Sequence, residues 1–381
     1  MRATTAAVLA AAACALELGH VPARLSNGPY TAMLVVPTGI GAAIGGYAGD
    51  ALPVARALAS VADRVVTHPN VMNGAQMYWP DNSLQYVEGY ALDEFAAGRW
   101  GLRPATSQRV GLLLDCAIEP ELTLRHLQAA DASRATLGVD VCAHAITDEP
   151  VGVELALSPS GASWGTVRSP GTLVRGAQRL VAAGATAIAV VARFPDEDEE
   201  MLANYRAGAG VDAVAGAEAI ISHLITKELR LPCAHAPACA PLPAEPDLSP
   251  RACAEELGHT FLPCVLVNLS RAPSLIADAS APRRPGDIWA DDVDAIVVPA
   301  SACGGAAVLS LLDADGVLVI AVEENASAMD VPAAKLGNGV AERVVVVRSY
   351  AEAIGLMAAH KAGVQPASLT PRTTSIRATR V

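Results

Sequence analysis

The sequence predicts an α/β protein with mostly parallel, doubly wound sheets, helices on both faces, and two lobes around a cleft. Short β-branched runs alternate with Ala- and Leu-rich helical segments along the chain. Several runs, such as "AIAVVA", "VLVIAV" and "RVVVV", are apolar throughout, as expected of strands covered on both faces of a parallel sheet. The segment "VVPTGIGAAIGG" at 35–46 also has a counterpart, "VVPASACGGAAV" at 297–308, which gives each lobe one copy of the same turn.

The individual elements follow from the same patterns. Apolar and β-branched runs predict strands at 32–37, 64–67, 109–115, 139–146, 151–157, 187–193, 263–268, 295–299, 317–322 and 343–347. Segments rich in Ala and Leu predict helices at 51–62, 92–97, 121–137, 171–183, 213–229, 250–257, 306–314 and 350–362. Strands alternating with helices imply right-handed crossovers between parallel strands.

Composition divides the chain into five parts. Residues 1–27 have no acidic residue before Glu17 and predict a targeting extension, either a secretory-type signal or an organelle transit peptide or both in series. A capping helix on the folded domain is the alternative. Residues 28–232 and 249–363 are the predicted α/β lobes. Residues 233–248 form a Pro-rich loop, because proline is unfavourable in helices and central strands. Residues 364–381, rich in Ser, Thr, Pro and Arg, are predicted to be a disordered tail.

The bulk composition excludes several classes of partner. Hydrophobic residues make up 52% of the chain and charged residues 17%, which is enough for a large core. The net charge of -12 disfavours nucleic acid and anionic membrane surfaces, since no broad basic surface is available. We also expect no membrane span, because no apolar run is long enough. A homo-oligomer stays open.

The eight cysteines are scattered, a pattern typical of reduced thiols and not of a disulfide framework. Cys233, His235 and Cys239 invite a zinc interpretation, but their spacing matches no standard zinc site. We therefore predict no metal site, and the sequence assigns no cofactor.

The two small-residue turns predict an anion-binding site. Glycine permits positive φ and close backbone approach, and a following helix would direct its free N–H groups at an anion. The turns contribute Thr38, Gly39, Gly41, Ser301, Gly304 and Gly305. The alternative, that these glycines only permit tight helix–strand packing, stays open. Neither turn has the dinucleotide spacing G-x-G-x-x-G or a P-loop, so neither NAD nor ATP is predicted.

Polar residues concentrate after the predicted strands, where ligands bind in open α/β sheets. Arg193 and Arg271 are the expected partners of the anion because arginine is always charged and can bind in a bidentate way. The remaining predicted substrate-binding residues are Asn70, Asn73, Ser160, Ser163 and His235.

Three residues are candidates for catalysis. His68 follows a predicted strand, and histidine titrates near neutral pH, although a histidine that merely caps a loop is the alternative. Cys303 lies at a predicted helix N-terminus, which would lower its pKa, but a buried inert thiol is the alternative. Glu323 follows another strand and could act as a base.

Long blocks of the sequence resemble a known family. The strings "THPNVMNGAQMYWP", "YVEGYALDEFAAGRWGLRP", "SPSGASWGT" and "GVDAVAGAEAIISHL" are similar to the domain of unknown function 3326. The likeness spans about 30–363 and carries over no catalytic residue, because none is established for that family. It implies a cyanobacterium-like ancestry, which with the N-terminal extension suggests a plastid protein. A cytoplasmic location is the alternative.

Together these observations predict an enzyme that acts on a small anionic metabolite by acid–base chemistry. Lyase, isomerase and hydrolase reactions are all compatible with the candidate residues. The alternative is a non-catalytic small-ligand binding or regulatory protein that uses the same cleft. A hydrogen-bonded acid–base pair within reach of the pocket would favour the enzyme.

Overall fold

The fold is taken from a computed structural model, which describes residues 21–47, 49–73, 77, 79–195, 199–239, 242–256, 262–337, 339–371 and 375. The predicted targeting extension lies mostly outside these residues. Among the described helices, none is long and apolar enough to span a bilayer.

The strands are short and most of them are buried. They are β1 (Thr31–Leu34), β2 (Arg64–Thr67), β3 (Leu84–Tyr86), β4 (Gly101–Arg103), β5 (Val110–Leu114), β6 (Val141–Ile146), β7 (Val153–Leu157), β8 (Ser163–Val167), β9 (Ala187–Arg193), β10 (Cys233–Ala238), β11 (Ser274–Ile276), β12 (Val293–Pro299), β13 (Leu318–Val322) and β14 (Val344–Val347).

The helices lie between these strands and after the last of them. They are α1 (Leu52–Ala59), α2 (Pro69–Met72), α3 (Gly89–Ala96), α4 (Pro120–Leu137), α5 (Pro170–Ala182), α6 (Glu199–Arg206), α7 (Ala215–Leu229), α8 (Pro250–Ala254), α9 (Leu262–Ser270), α10 (Ala306–Leu312), α11 (Val340–Arg343) and α12 (Tyr350–Lys361). Several begin with proline, which is favourable in a first turn because its missing N–H would have no helical partner there.

Two parallel sheets form the framework. The larger has the strand order β14-β13-β12-β1-β2-β3, and the smaller has the order β10-β9-β5-β6. Two antiparallel pairs, β7 with β8 and β4 with β11, complete the pairing. In the larger sheet, β1 and β12 are the two central neighbours from which the order runs outward in both directions. This arrangement is the doubly wound pattern, and the predicted α/β class with parallel sheets is confirmed.

Helices cover both faces of each sheet. In the larger sheet, alternate residues of β1 and β12 point to opposite faces. On one face, Leu34 and Val297 lie in the core with α1 and α12. On the other face, Met33 and Ile296 lie in the core with α3 and α10. In the smaller sheet, α4 and α9 pack on one face and α5 and α7 on the other. This double coverage explains why the strands are apolar throughout.

The structure corrects two sequence predictions. Residues 263–268 form part of helix α9 and not a strand, because a short apolar run does not distinguish a buried strand from a buried helix. The segment predicted as a Pro-rich loop begins with strand β10, where Pro237 is tolerated at the edge of the smaller sheet. The larger sheet joins strands from both predicted lobes, and the division into two lobes stays a prediction.

Candidate functional site

The repeated turns meet at the centre of the larger sheet. Because β1 and β12 are parallel neighbours, the segments after them leave the same edge side by side. A cavity of about 240 Å³ opens there, lined by Val35, Pro37 and Thr38 from the first turn and by Ala302, Gly305 and Ala306 from the second. The opposite wall comes from α3, α7 and β10. The cavity therefore lies where a doubly wound sheet reverses its strand order, the usual place for a ligand.

Most of the predicted glycines pack against protein and do not line this cavity. A Cβ atom on Gly39 would lie 3.1 Å from Cβ of Ser163, and one on Gly41 would lie 2.7 Å from the carbonyl oxygen of Gly210. A Cβ on Gly304 would lie 2.8 Å from Cγ1 of Val331. Gly39 and Gly41 also have positive φ, at 68° and 58°. These glycines are explained by close chain packing and by backbone conformation.

Several N–H groups of the turns also bond within the protein. Ile44 N–H donates to Oδ1 of Asn325 at 2.8 Å, and Cys303 N–H donates to the carbonyl oxygen of Val331 at 2.9 Å. At the start of α10, Ala307 N–H donates to Oδ1 of Asp93 at 3.1 Å. An internal carboxylate thus occupies the position where an anion was expected.

His68 lines the cavity but does not titrate near neutral pH. Its side chain follows β2, and its Nε2 accepts a hydrogen bond from Val36 N–H at 3.0 Å, which places the ring proton on Nδ1. Burial, with a smaller effect from the charge of His223, lowers the pKa of His68 to about 4. His68 is therefore neutral at pH 7, and the general acid–base role predicted for it is not favoured.

Asn70 and Asn73 also line the cavity, and Asn70 supports its wall. The Asn70 amide donates to the carbonyl oxygens of Val36 at 3.0 Å and Gly45 at 2.6 Å, which fixes the first turn.

A histidine–glutamate pair that the sequence analysis did not single out occupies the opposite wall. Nδ1 of His223, on α7, forms a short hydrogen bond with Oε1 of Glu88. Glu88 is 3% exposed, and its other oxygen caps α3 by accepting from Tyr90 N–H at 2.8 Å and Ala91 N–H at 3.3 Å. The helix cap therefore fixes the carboxylate that orients the imidazole.

The surroundings of His223 favour its charged form. Burial acts to lower the pKa of His223, but the hydrogen bond and charge of Glu88, with the charge of Asp93, outweigh it, and the pKa is raised. The His223 side chain is 43% exposed and lines the cavity. In the part of the chain that the structure describes, no hydrogen bond engages its Nε2. Gly89 makes room for the ring, since a Cβ there would lie 2.7 Å from Cε1.

His235 lies beside this pair on β10. Its Nδ1 is 3.2 Å from the Ser222 hydroxyl, which also donates to Oε1 of Glu88 at 3.4 Å. Its Nε2 is 3.7 Å from Oε2 of Glu218. Burial, then the charge of His223, lowers the pKa of His235 to about 3. His235, which the sequence predicted as substrate-binding, is thus a neutral lining residue.

Two further carboxylates line the cavity. Asp212 accepts from Val214 N–H at 3.0 Å, and burial raises its pKa to about 6. Burial also raises the pKa of Asp93, although the hydrogen bond from Ala307 N–H opposes that shift. Asp212 therefore titrates close to neutral pH, as a catalytic acid or base does.

The other predicted site residues lie outside the cavity lining. Cys303 is fully buried, and burial raises its pKa, opposite to the expected effect of a helix N-terminus. Glu323 and Arg271 are exposed, and Arg193 pairs with Glu119 at 3.0 Å. Ser301 bonds to the Ser327 hydroxyl at 2.7 Å, and Ser160 bonds to the Ser158 hydroxyl at 2.8 Å.

Ser163 has a structural role next to the site. Its N–H donates to the carbonyl oxygen of Gly39 at 2.7 Å, and its hydroxyl accepts from Gly216 N–H at 3.0 Å. It thus ties the first turn to the beginning of α7, the helix that carries His223. The described residues include no group of three or more His, Cys, Asp or Glu arranged to hold a metal ion.

Comparison with known proteins agrees with the resemblance seen in the sequence. The family model described as protein of unknown function (DUF3326) matches residues 31–370. The chain belongs to the DUF3326 family. An uncharacterized lipoprotein of Synechococcus sp. is 54% identical over 345 residues, which cover 90% of this chain and 93% of that protein. No solved structure matches the chain.

Proposed function

We propose that this DUF3326 protein is an enzyme that transfers protons on a small polar metabolite, with His223 as the acid–base group. The observation that carries the proposal is the Glu88–His223 pair in the wall of the cavity. Such a pair is what distinguishes an acid–base enzyme from a binding protein lined only by glycines and amides.

The chemistry follows from the two nitrogens of the imidazole. Glu88 holds Nδ1 in its protonated form, so the lone pair of neutral His223 lies on Nε2. Nε2 can then take a proton from a substrate carbon, hydroxyl or bound water and return it later in the reaction. Asp212 supplies a second group that can exchange a proton near neutral pH. Lyase, isomerase and hydrolase reactions remain within this chemistry.

The cavity lining does not favour an anionic substrate. That expectation depended on Arg193, Arg271 and the free N–H groups of the turns. Neither arginine is among the lining residues, and N–H groups of both turns bond within the protein. The volume of about 240 Å³ lies below the range of about 300–1,000 Å³ typical of pockets for drug-sized ligands, which favours a small metabolite.

The test is turnover of metabolites in heavy water. Protein-free cyanobacterial extract is incubated in D₂O with the protein, and NMR and mass spectrometry detect metabolites that are consumed or gain deuterium. We expect such metabolites with the parent protein and not with His223→Gln. His144→Gln, which alters an exposed histidine on β6, is the matched control. Equal turnover by the parent and by His223→Gln would refute the proposal.

We propose separately that residues 1–27 target the chain to the plastid, as the resemblance to a family of cyanobacterial ancestry and the N-terminal extension together suggest. The cyanobacterial relative is named a lipoprotein, so attachment to a membrane by lipid is the competing outcome. A fluorescent fusion of the full chain in a plant or alga tests this: signal throughout the stroma supports plastid targeting, and signal outside the plastid contradicts it.

A further inference from the structure

The charges around the cavity are unbalanced. Its lining includes the carboxylates of Glu88, Asp93, Asp212 and Glu218, whereas no arginine or lysine is among the described lining residues. Two of the three lining histidines, His68 and His235, are neutral at pH 7 because burial lowers their pKa. Among the described lining residues, His223 is the one histidine whose pKa is raised. The cavity is therefore acidic.

Two of these carboxylates form no ion pair within the described structure. Glu88 pairs with His223, and Glu218 lies near His235. Asp93 and Asp212, by contrast, accept backbone N–H groups and form no ion pair with any described residue. Burial raises the pKa of both carboxyl groups, and for Asp93 the hydrogen bond from Ala307 N–H and the charge of His223 offset that effect only in part. A bound cation would offset the unfavourable burial of these two negative charges.

A separate observation shows that a ligand in this cavity would also meet a hydrogen-bond donor. His68 is 7% exposed, and its Nε2 is occupied by Val36 N–H. Nδ1 therefore carries the proton, and it has no hydrogen-bond partner among the residues that the structure describes. Nδ1 is not among the fully enclosed unpartnered atoms of the described residues, and His68 lines the cavity, so this donor can bond to an acceptor on a ligand there.

We infer that the cavity binds a small protonated amine that also carries a hydrogen-bond acceptor, such as a hydroxyl or carbonyl oxygen. The amine would lie at Asp93 and Asp212, and the acceptor would face His68. This inference rests on the proposed function, since it names the substrate class of the same cavity. His223 would deprotonate or protonate the ligand beside its ammonium group.

The test compares three probes of similar length that differ in charge. They are 4-aminobutan-1-ol, butane-1,4-diol and 4-hydroxybutanoate, each titrated at millimolar concentration by calorimetry and by thermal shift. We expect the amino alcohol to bind and to raise the melting temperature, and the diol and the hydroxy acid to have little effect. Asp212→Asn and Asp93→Asn should each weaken binding of the amino alcohol by roughly tenfold, the usual effect of losing one charge-assisted contact.

Asp131→Asn, which alters an exposed residue of α4, is the matched control and should bind like the parent. Asp93 also caps α10, so circular dichroism must show that its variant is folded, and Asp212→Asn provides an independent result. Preferred binding of the hydroxy acid would overturn the inference. So would failure of the amino alcohol to bind the parent, or equal binding by the parent and Asp212→Asn.

The outcome separates this inference from the proposed function. If 4-hydroxybutanoate binds while metabolite turnover still requires His223, only the cationic ligand is wrong. If the amino alcohol binds through Asp212 while His223→Gln keeps full turnover, the ligand class stands and the catalytic role of His223 is wrong.

Discussion

Replacing Glu88 tests the link between the helix cap and the proposed acid–base group. Glu88→Ala removes the cap of α3, worth about 0.5–2 kcal/mol, and the charge-assisted bond to His223, worth about 1.5–3 kcal/mol. We expect a loss of about 2–5 kcal/mol in the free energy of unfolding. Glu88→Gln keeps an oxygen that can cap the helix, so its loss should be smaller, about 1–2 kcal/mol.

The same substitution should change the pKa of His223. With Glu88→Gln, burial becomes the dominant influence, so the pKa should fall below its ordinary value of about 6.5. In the parent, the raised pKa means that the pair's contribution to stability is full below about pH 6.5 and is lost as pH rises through the folded pKa. Titration of the imidazole by NMR measures the shift, and denaturant unfolding measures stability. An unchanged pKa in Glu88→Gln would refute the pairing.

Three further predictions concern the residues around the site. Gly89→Ala should displace the His223 ring and reduce any His223-dependent turnover by roughly tenfold or more. Gly98→Ala is its control, because a Cβ at Gly98 would contact no other residue. It should lower the free energy of unfolding by about 1–2 kcal/mol, since Gly98 has positive φ, and leave turnover intact. His68 stays neutral when folded down to about pH 4, so between about pH 6.5 and pH 4 this residue should lower the free energy of unfolding by about 1.4 kcal/mol per pH unit. His68→Gln should flatten that slope in acid-unfolding experiments. Cys303 should react with a thiol reagent far more slowly than exposed Cys116 in the native protein; equal rates by mass spectrometry would contradict its burial.

The fold was largely predictable because its signal is local. Strands such as β9 and β12 are apolar along nearly their whole length, and that pattern follows directly from burial on both faces of a sheet. The failures arose where local signals conflict. Residues 263–268 contain β-branched residues within a helix, and Pro237 lies in an edge strand, where its missing N–H is tolerated.

The candidate site was only half predictable, for a different reason. The repeated turns could be found because they are alike in sequence and end neighbouring strands. Glu88 was missed because β3 is only three residues long and was not predicted, so its position after a strand was hidden. Glu218 and His223 lie on a helix of the smaller sheet, far along the chain. Their polar character within the apolar segment "AEAIISHLI" was the one available signal.

The strand order also has a consequence for biosynthesis. The smaller sheet uses strands that all lie between residues 110 and 238, so it can form as soon as that segment leaves the ribosome. The larger sheet cannot complete its strand pairing until β12 leaves the ribosome, long after its neighbour β1 was synthesised. A nascent chain interrupted before residue 293 would carry the Glu88–His223 pair but not the second turn. Release of a prematurely terminated polypeptide would therefore leave unpaired strand edges, the kind of surface that molecular chaperones bind.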